Sequence, residues 1–99
     1  MAFFKIPLAA GNQAFNIQLG GVLYRLRLVW RDVPDGRWLM DIGYPDGRAL
    51  VNGLPLAIGG NLLGQYQHLI AGALYVIPES DSEPGFNDLL TTTLYWIEA

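Results

Sequence analysis

His68 is the only histidine in this 99-residue chain, and there is no cysteine. Together these facts limit the chemistry the chain can perform. A hydrolytic triad or a histidine-based metal site needs partners of suitable type around the imidazole. Ser80 and Ser82 are available hydroxyls, but Glu79, Asp81 and Glu83 flank them, and that negative charge opposes a developing oxyanion. Two carboxylates are enough for glycoside hydrolysis. The pairs on offer, Asp32 with Asp35 and Asp41 with Asp46, lie in or beside turns that already account for Asp35 and Asp46. The run Glu79–Glu83 lacks the alternating Asp/Asn ligand series of a calcium loop. Gly20-Gly21 and Gly59-Gly60 lack the spacing of phosphate-binding loops. Arg25 and Arg27 neighbour Tyr24 and Trp30, yet strand alternation sends the arginines and the aromatics to opposite sides, so they form no shared stacking platform. The expectation is a protein that is not an enzyme, with no catalytic, cofactor-binding or metal site, no cofactor, and no nucleic-acid partner.

The elements that position these residues centre on Val22–Pro55. Pro-Asp-Gly-Arg occurs twice there, at Pro34–Arg37 and Pro45–Arg48. Proline presets the first turn position, aspartate suits the next, and glycine takes the positive φ that closes the turn. Each copy predicts a three-residue hairpin loop between strands, and together they predict a three-stranded meander over Val22–Arg31, Arg37–Gly43 and Ala49–Pro55. With three-residue loops, Trp30 faces Met40, Leu28 faces Ile42, and Ile42 faces Leu50. Asp41 then falls diagonally between Arg27 and Arg31. Val22, Tyr24, Leu26, Leu28, Trp30, Trp38, Met40, Ile42 and Leu50 share the core side, and Arg25, Arg27, Arg31 and Leu39 face away from it.

Further strands are expected at Phe3–Leu8, Ala14–Leu19, Ile70–Ile77 and Leu90–Ile97. Gly20-Gly21 reads as a two-residue hairpin turn, Asn61 as the cap of one helical turn through Tyr66, and Pro78–Phe86 as an acidic solvent loop. The sum is an all-β fold, a single domain over residues 1–99. It is a small barrel or sandwich of roughly seven short antiparallel strands with at most one helical turn.

Composition adds a functional hint. Ala, Val, Ile, Leu, Met, Phe, Trp and Gly make up 58 of 99 residues, against roughly 45–50% in an ordinary soluble domain. A chain this small cannot bury them all, so apolar contact surface is expected outside. All six basic residues lie in the first fifty positions, which sum to +2, whereas the remainder sums to −5. That asymmetry suits contacts with other proteins. The longest apolar run, Leu69–Ile77, is too short to span a membrane as a helix, and no signal peptide is evident.

Several motifs in order carry a resemblance. They are Gly20-Gly21-Val22-Leu23-Tyr24-Arg25-Leu26, Trp38-Leu39-Met40-Asp41-Ile42, Asp46-Gly47, Gly59-Gly60-Asn61-Leu62-Leu63 with Tyr66, and Gly72-Ala73-Leu74-Tyr75-Val76. This layout resembles a family of small phage baseplate hub plug proteins over roughly Phe3 to Tyr95. Asn61 stands where the family more often has an acidic residue. The resemblance implies a structural virion subunit, assembled in the host bacterial cytoplasm. Its implied role is to seal the hub between tail tube and spike through contacts with hub, spike and tube proteins. From the strand alternation, Arg25, Arg27, Arg31 and Leu39, on the side away from the core, are the expected interface. The competing reading is a small carbohydrate-binding module on a tail fibre or spike, which requires exposed aromatics; Tyr44, Tyr66 and Trp96 are the residues free to supply them.

Overall fold

The computed structural model describes residues 3–32, 36–78 and 84–98. Seven strands form two antiparallel sheets: β1 (Phe3–Ile6), β2 (Gln13–Leu19), β3 (Val22–Arg31), β4 (Arg37–Gly43), β5 (Ala49–Pro55), β6 (Ala73–Ile77) and β7 (Thr93–Ile97). The larger sheet has the order β2-β3-β4-β5 and the smaller β1-β7-β6. The two do not close into a barrel; they form an open sandwich. Leu26, Leu28, Trp38, Met40 and Ile42 of one sheet and Leu74, Val76, Leu94 and Trp96 of the other belong to a single buried apolar cluster, which Leu56, Leu63, Ile70 and Leu89 from the connections extend.

The meander forms over the expected ranges, but its register differs. Trp30 pairs with Trp38 rather than Met40, and Leu28 pairs with Met40 rather than Ile42. The slip is two residues, so side-chain parity, and with it the core face, is kept. It also brings the Trp30 and Trp38 rings into edge-to-face contact at 5.5 Å. The last pair before the first loop is Arg31 with Arg37; the expected Pro34-based turn itself falls largely outside the described residues. Asp41 lies directly opposite Arg27, not between Arg27 and Arg31.

The second loop has the expected turn. Gly47 donates its N–H to the Tyr44 carbonyl and Tyr44 donates to Arg48, at 3.0 and 2.8 Å. Asp46 braces it by accepting from the Arg48 backbone N–H (3.0 Å) and guanidinium (2.8 Å). Those bonds, the backbone one first, hold its carboxyl below the usual range.

Beyond the turn the register shifts twice, so Ile42 meets Val51 instead of Leu50, and Met40 meets Leu54. Asn52 and Gly53 together oppose Asp41, which is a β-bulge. Gly53 adopts φ +68°, which the bulge requires. Its N–H is taken up by Asp41 Oδ1 at 2.7 Å, while Oδ2 accepts from Arg27 at 3.3 Å. Leu50 is consequently half-buried, and Val51 and Leu54 fill the core.

Elsewhere the boundaries are shorter. β1 ends before Pro7, and β6 begins at Ala73 rather than Ile70. Gly20 and Gly21 have φ of +59° and +82°, the primed hairpin turn expected. That turn leaves Val22 exposed rather than in the core. β7 begins at Thr93 rather than Leu90, because Leu89–Thr91 forms a 3-10 turn. The Thr91 and Thr92 hydroxyls donate to the Asp88 carbonyl, at 3.1 and 2.7 Å, which favours a local turn over a ladder.

Asn61 caps no helix. Its Oδ1 accepts from Leu63 N–H at 2.9 Å and from Leu74 N–H at 3.0 Å, and Leu62 N–H donates to the Leu74 carbonyl. The connection is thereby fastened along the outer edge of β6. Most of the expected acidic loop, residues 79–83, lies outside the described residues, but its end touches the large sheet. The Gly85 carbonyl accepts the Trp38 indole N–H at 2.9 Å, and Phe86 stacks on Trp38 with centroids 5.8 Å apart.

Three outcomes are expected. Asn61→Ala strands two part-buried N–H donors and lowers unfolding free energy in urea by about 2–3 kcal/mol, whereas Asn61→Asp, which keeps the acceptor, stays near wild type. Asp41→Ala costs about 1–2 kcal/mol in the same assay, and Asp41→Asn less than half of that because Oδ1 still accepts from Gly53. Asp46→Asn gives a small loss at neutral pH that disappears in acid. A depressed carboxylate stabilises above its unfolded value near 3.8 and loses that contribution as pH falls through the lower folded value; urea midpoints at pH 7 and pH 2 measure the difference.

Candidate interaction face

On β3 the even-numbered side chains from Tyr24 to Leu28 are buried, which turns Arg25, Arg27, Val29 and Arg31 to the other side of the sheet. On β4 the buried Trp38, Met40 and Ile42 leave Arg37, Leu39 and Asp41 facing the same way. Cross-strand pairing then sets Arg27 against Asp41, Val29 against Leu39, and Arg31 against Arg37. The face is therefore an apolar Val29–Leu39 pair with guanidinium groups on either side.

A shallow depression of about 300 Å³ is lined by Arg27, Val29, Arg31, Leu39 and Asp41 together with Asn52 and Gly53. A smaller one of about 150 Å³ adjoins it, lined in part by Arg25, Arg27, Tyr44 and Arg48. The structure thus gathers Arg27, Arg31 and Leu39 around one hollow and sets Arg25 at the neighbouring one. Two members of the face escape sequence reasoning, Val29 and Arg37. Their signal is parity: Val29 shares that of Arg25 and Arg27, and Arg37 that of Leu39.

The electrostatics are lopsided. Arg27 is half-exposed and paired to Asp41 at 3.3 Å, a surface pair worth under ~1 kcal/mol. Among the described residues Arg25, Arg31 and Arg37 form no ion pair. Arg31 and Arg37 stand directly opposite each other, and like charges in that arrangement repel. An acidic partner surface would relieve this repulsion. At the tip of the face, Arg48 lies over the Tyr44 ring at 4.6 Å, and Tyr44 stacks on Tyr24 at 6.1 Å. Burial first, and then the neighbouring Tyr44, push the Tyr24 hydroxyl above its ordinary value.

Among the described residues, groups suited to reaction chemistry are not brought together. His68 is exposed in the β5–β6 connection. Among the described residues no three His, Asp or Glu side chains cluster as metal ligands; the run Glu79–Glu83 lies outside them. The aromatics proposed for sugar binding are also not free. Trp96 is buried, and Tyr44 and Tyr66 pack partly against the core. What the large sheet offers is a broad, basic and partly apolar surface with shallow hollows, a geometry for docking.

The model of one family, described as cyanophage baseplate Pam3 plug gp18, matches residues 3–99. No curated protein matches the chain. The family match covers both sheets and every residue of the basic face, and by it the chain belongs to the cyanophage baseplate Pam3 plug gp18 family, as a structural component of a phage tail baseplate that assembles with other baseplate or tail proteins.

Proposed function

We propose that this chain seals the baseplate hub at the junction of tail tube and spike, acting through protein–protein contacts and without catalysis. The contact surface is the outer face of the large sheet, where Arg25, Arg27, Arg31 and Leu39 meet the hub wall. The observation that carries this reading is the unbalanced charge of that face. Three guanidinium groups without ion-pair partners among the described residues surround an apolar pair, and two of them oppose each other.

Such a face gains from an acidic surface with an apolar centre. Charge complementarity guides docking and register, while shallow contacts leave the plug removable. A plug held this way needs neither a metal nor a disulfide, and the cysteine-free sequence fits assembly in the reducing cytoplasm of the host. The domain acts as one β unit, with the smaller sheet backing the docking face.

The test is charge reversal in the phage. Arg25→Glu with Arg27→Glu is expected to give tails without the plug and a titre reduced at least tenfold. Because Arg27 also pairs with Asp41, Arg25→Glu with Arg31→Glu is the companion variant that spares Asp41, and the same loss is expected. Particles with normal titre and full plug density at the tail tip in both variants would overturn the assignment of this face.

A further inference from the structure

The four exposed sheet edges are not equally protected. β1 has only four residues, including Lys5, and stops at Pro7. β5 is interrupted by its bulge and ends at Pro55. The edge of β6 is occupied: Leu74 gives its N–H to Asn61 Oδ1 and its carbonyl to Leu62 N–H. Short length, lysine, proline, bulges and covering loops are the devices that keep sheet edges from pairing with other chains. β2 uses none of them. It has seven residues, Gln-Ala-Phe-Asn-Ile-Gln-Leu, with no charge, proline or glycine, and it pairs in unbroken register with β3. Its other edge takes no backbone hydrogen bond from any other described segment.

From this contrast we propose that β2 is the seam of a two-fold symmetric dimer, in which the β2 strands of two copies pair antiparallel and join two four-stranded sheets into one of eight. A second copy is the occupant that the sequence of β2 suits. In an antiparallel ladder only alternate residues direct their N–H and C=O outward, so a two-fold pairing must be centred on a residue. Centred on Asn16, the pairing sets Asn16 against the partner's Asn16, Phe15 against the partner's Ile17, and Ala14 against the partner's Gln18. Phe15 and Ile17 lie on the core side and are half-buried in the single chain, so each would gain cover from the other copy. Ala14, Asn16 and Gln18 are exposed and uncharged, so no like charges meet across the seam. The pairing supplies about six to eight inter-strand hydrogen bonds. This inference does not depend on where the plug sits in the tail.

Sedimentation of the purified full chain over a range of concentrations tests it. A reversible monomer–dimer equilibrium is expected for the wild type. Asn16 is exposed and lies opposite Arg25 of its own chain, so Asn16→Asp leaves the subunit folded but sets two carboxylates against each other at the seam. The dimer dissociation constant should rise roughly fivefold at low salt and recover at high salt. Asn16→Lys should weaken the dimer likewise, and an equimolar mixture of N16D and N16K should restore it as a heterodimer. Three results would each overturn the proposal: a wild-type chain monomeric at every concentration, a dimer indifferent to both substitutions, or failure of the mixture to recover. A monomer that instead captures a strand of another baseplate protein counts among them.

Discussion

Every inward side chain of the large sheet depends on the alternation of β3. This ten-residue strand is paired along both edges, to β2 and to β4. Its even side chains from Tyr24 to Leu28 are buried and the odd ones from Arg25 to Arg31 are outward. A slip of one residue would drive arginines into the core, at the cost of desolvating unpaired charge. A slip of two costs only the exchange of one apolar neighbour for another. β3 therefore enforces parity strongly and leaves register to finer contacts. In this molecule the finer contacts are the Trp30–Trp38 edge-to-face pair and the Arg27–Asp41 bond.

That division explains what the amino-acid sequence makes legible. The all-β class, the seven strands, the Gly20-Gly21 turn, the second Pro-Asp-Gly-Arg turn and the two faces of the meander all follow from parity and turn chemistry, which are local. The register of β3 with β4 does not, because pairing Trp30 with Trp38 or with Met40 satisfies the same alternation. The bulge left a trace: Val51 and Leu54 are spaced by three rather than two, with Asn52-Gly53 between them. Asn61 was legible as a capping side chain but not in its role. Its second donor, Leu74 N–H, is thirteen residues away in sequence. Of the basic outer face, the arginines at positions 25, 27 and 31 and Leu39 were visible. Arg37 opposite Arg31 emerged only once the register was known.

Asp41 shows how one side chain can serve two levels at once. One carboxylate oxygen accepts the N–H that the bulge at Gly53 leaves without a ladder partner, and the other accepts from Arg27. The bulge bends β5, and Asn52 and Gly53 thereby become part of the rim of the hollow on the basic face. Fold and surface shape are coupled through this residue. Asp41 neutralises only one of the arginines around it, and Arg25, Arg31 and Arg37 have no ion-pair partner among the described residues.

The two sheets also differ in where their strands come from. The large sheet is continuous in the chain, from Gln13 to Pro55, with a hairpin between each pair of neighbours. The small sheet places β1 beside β7, and so joins Phe3–Ile6 to Thr93–Ile97. Closing a loop of that length carries an entropic cost that hairpins avoid. During synthesis the large sheet can pair as soon as Pro55 has left the ribosome, but β1 must wait for the last strand to be made. Ile6 and the inner face of the large sheet, all buried in the finished fold, stay uncovered throughout that interval. The order of translation thus makes the sheet that bears the basic face the first part to form and its apolar backing the last.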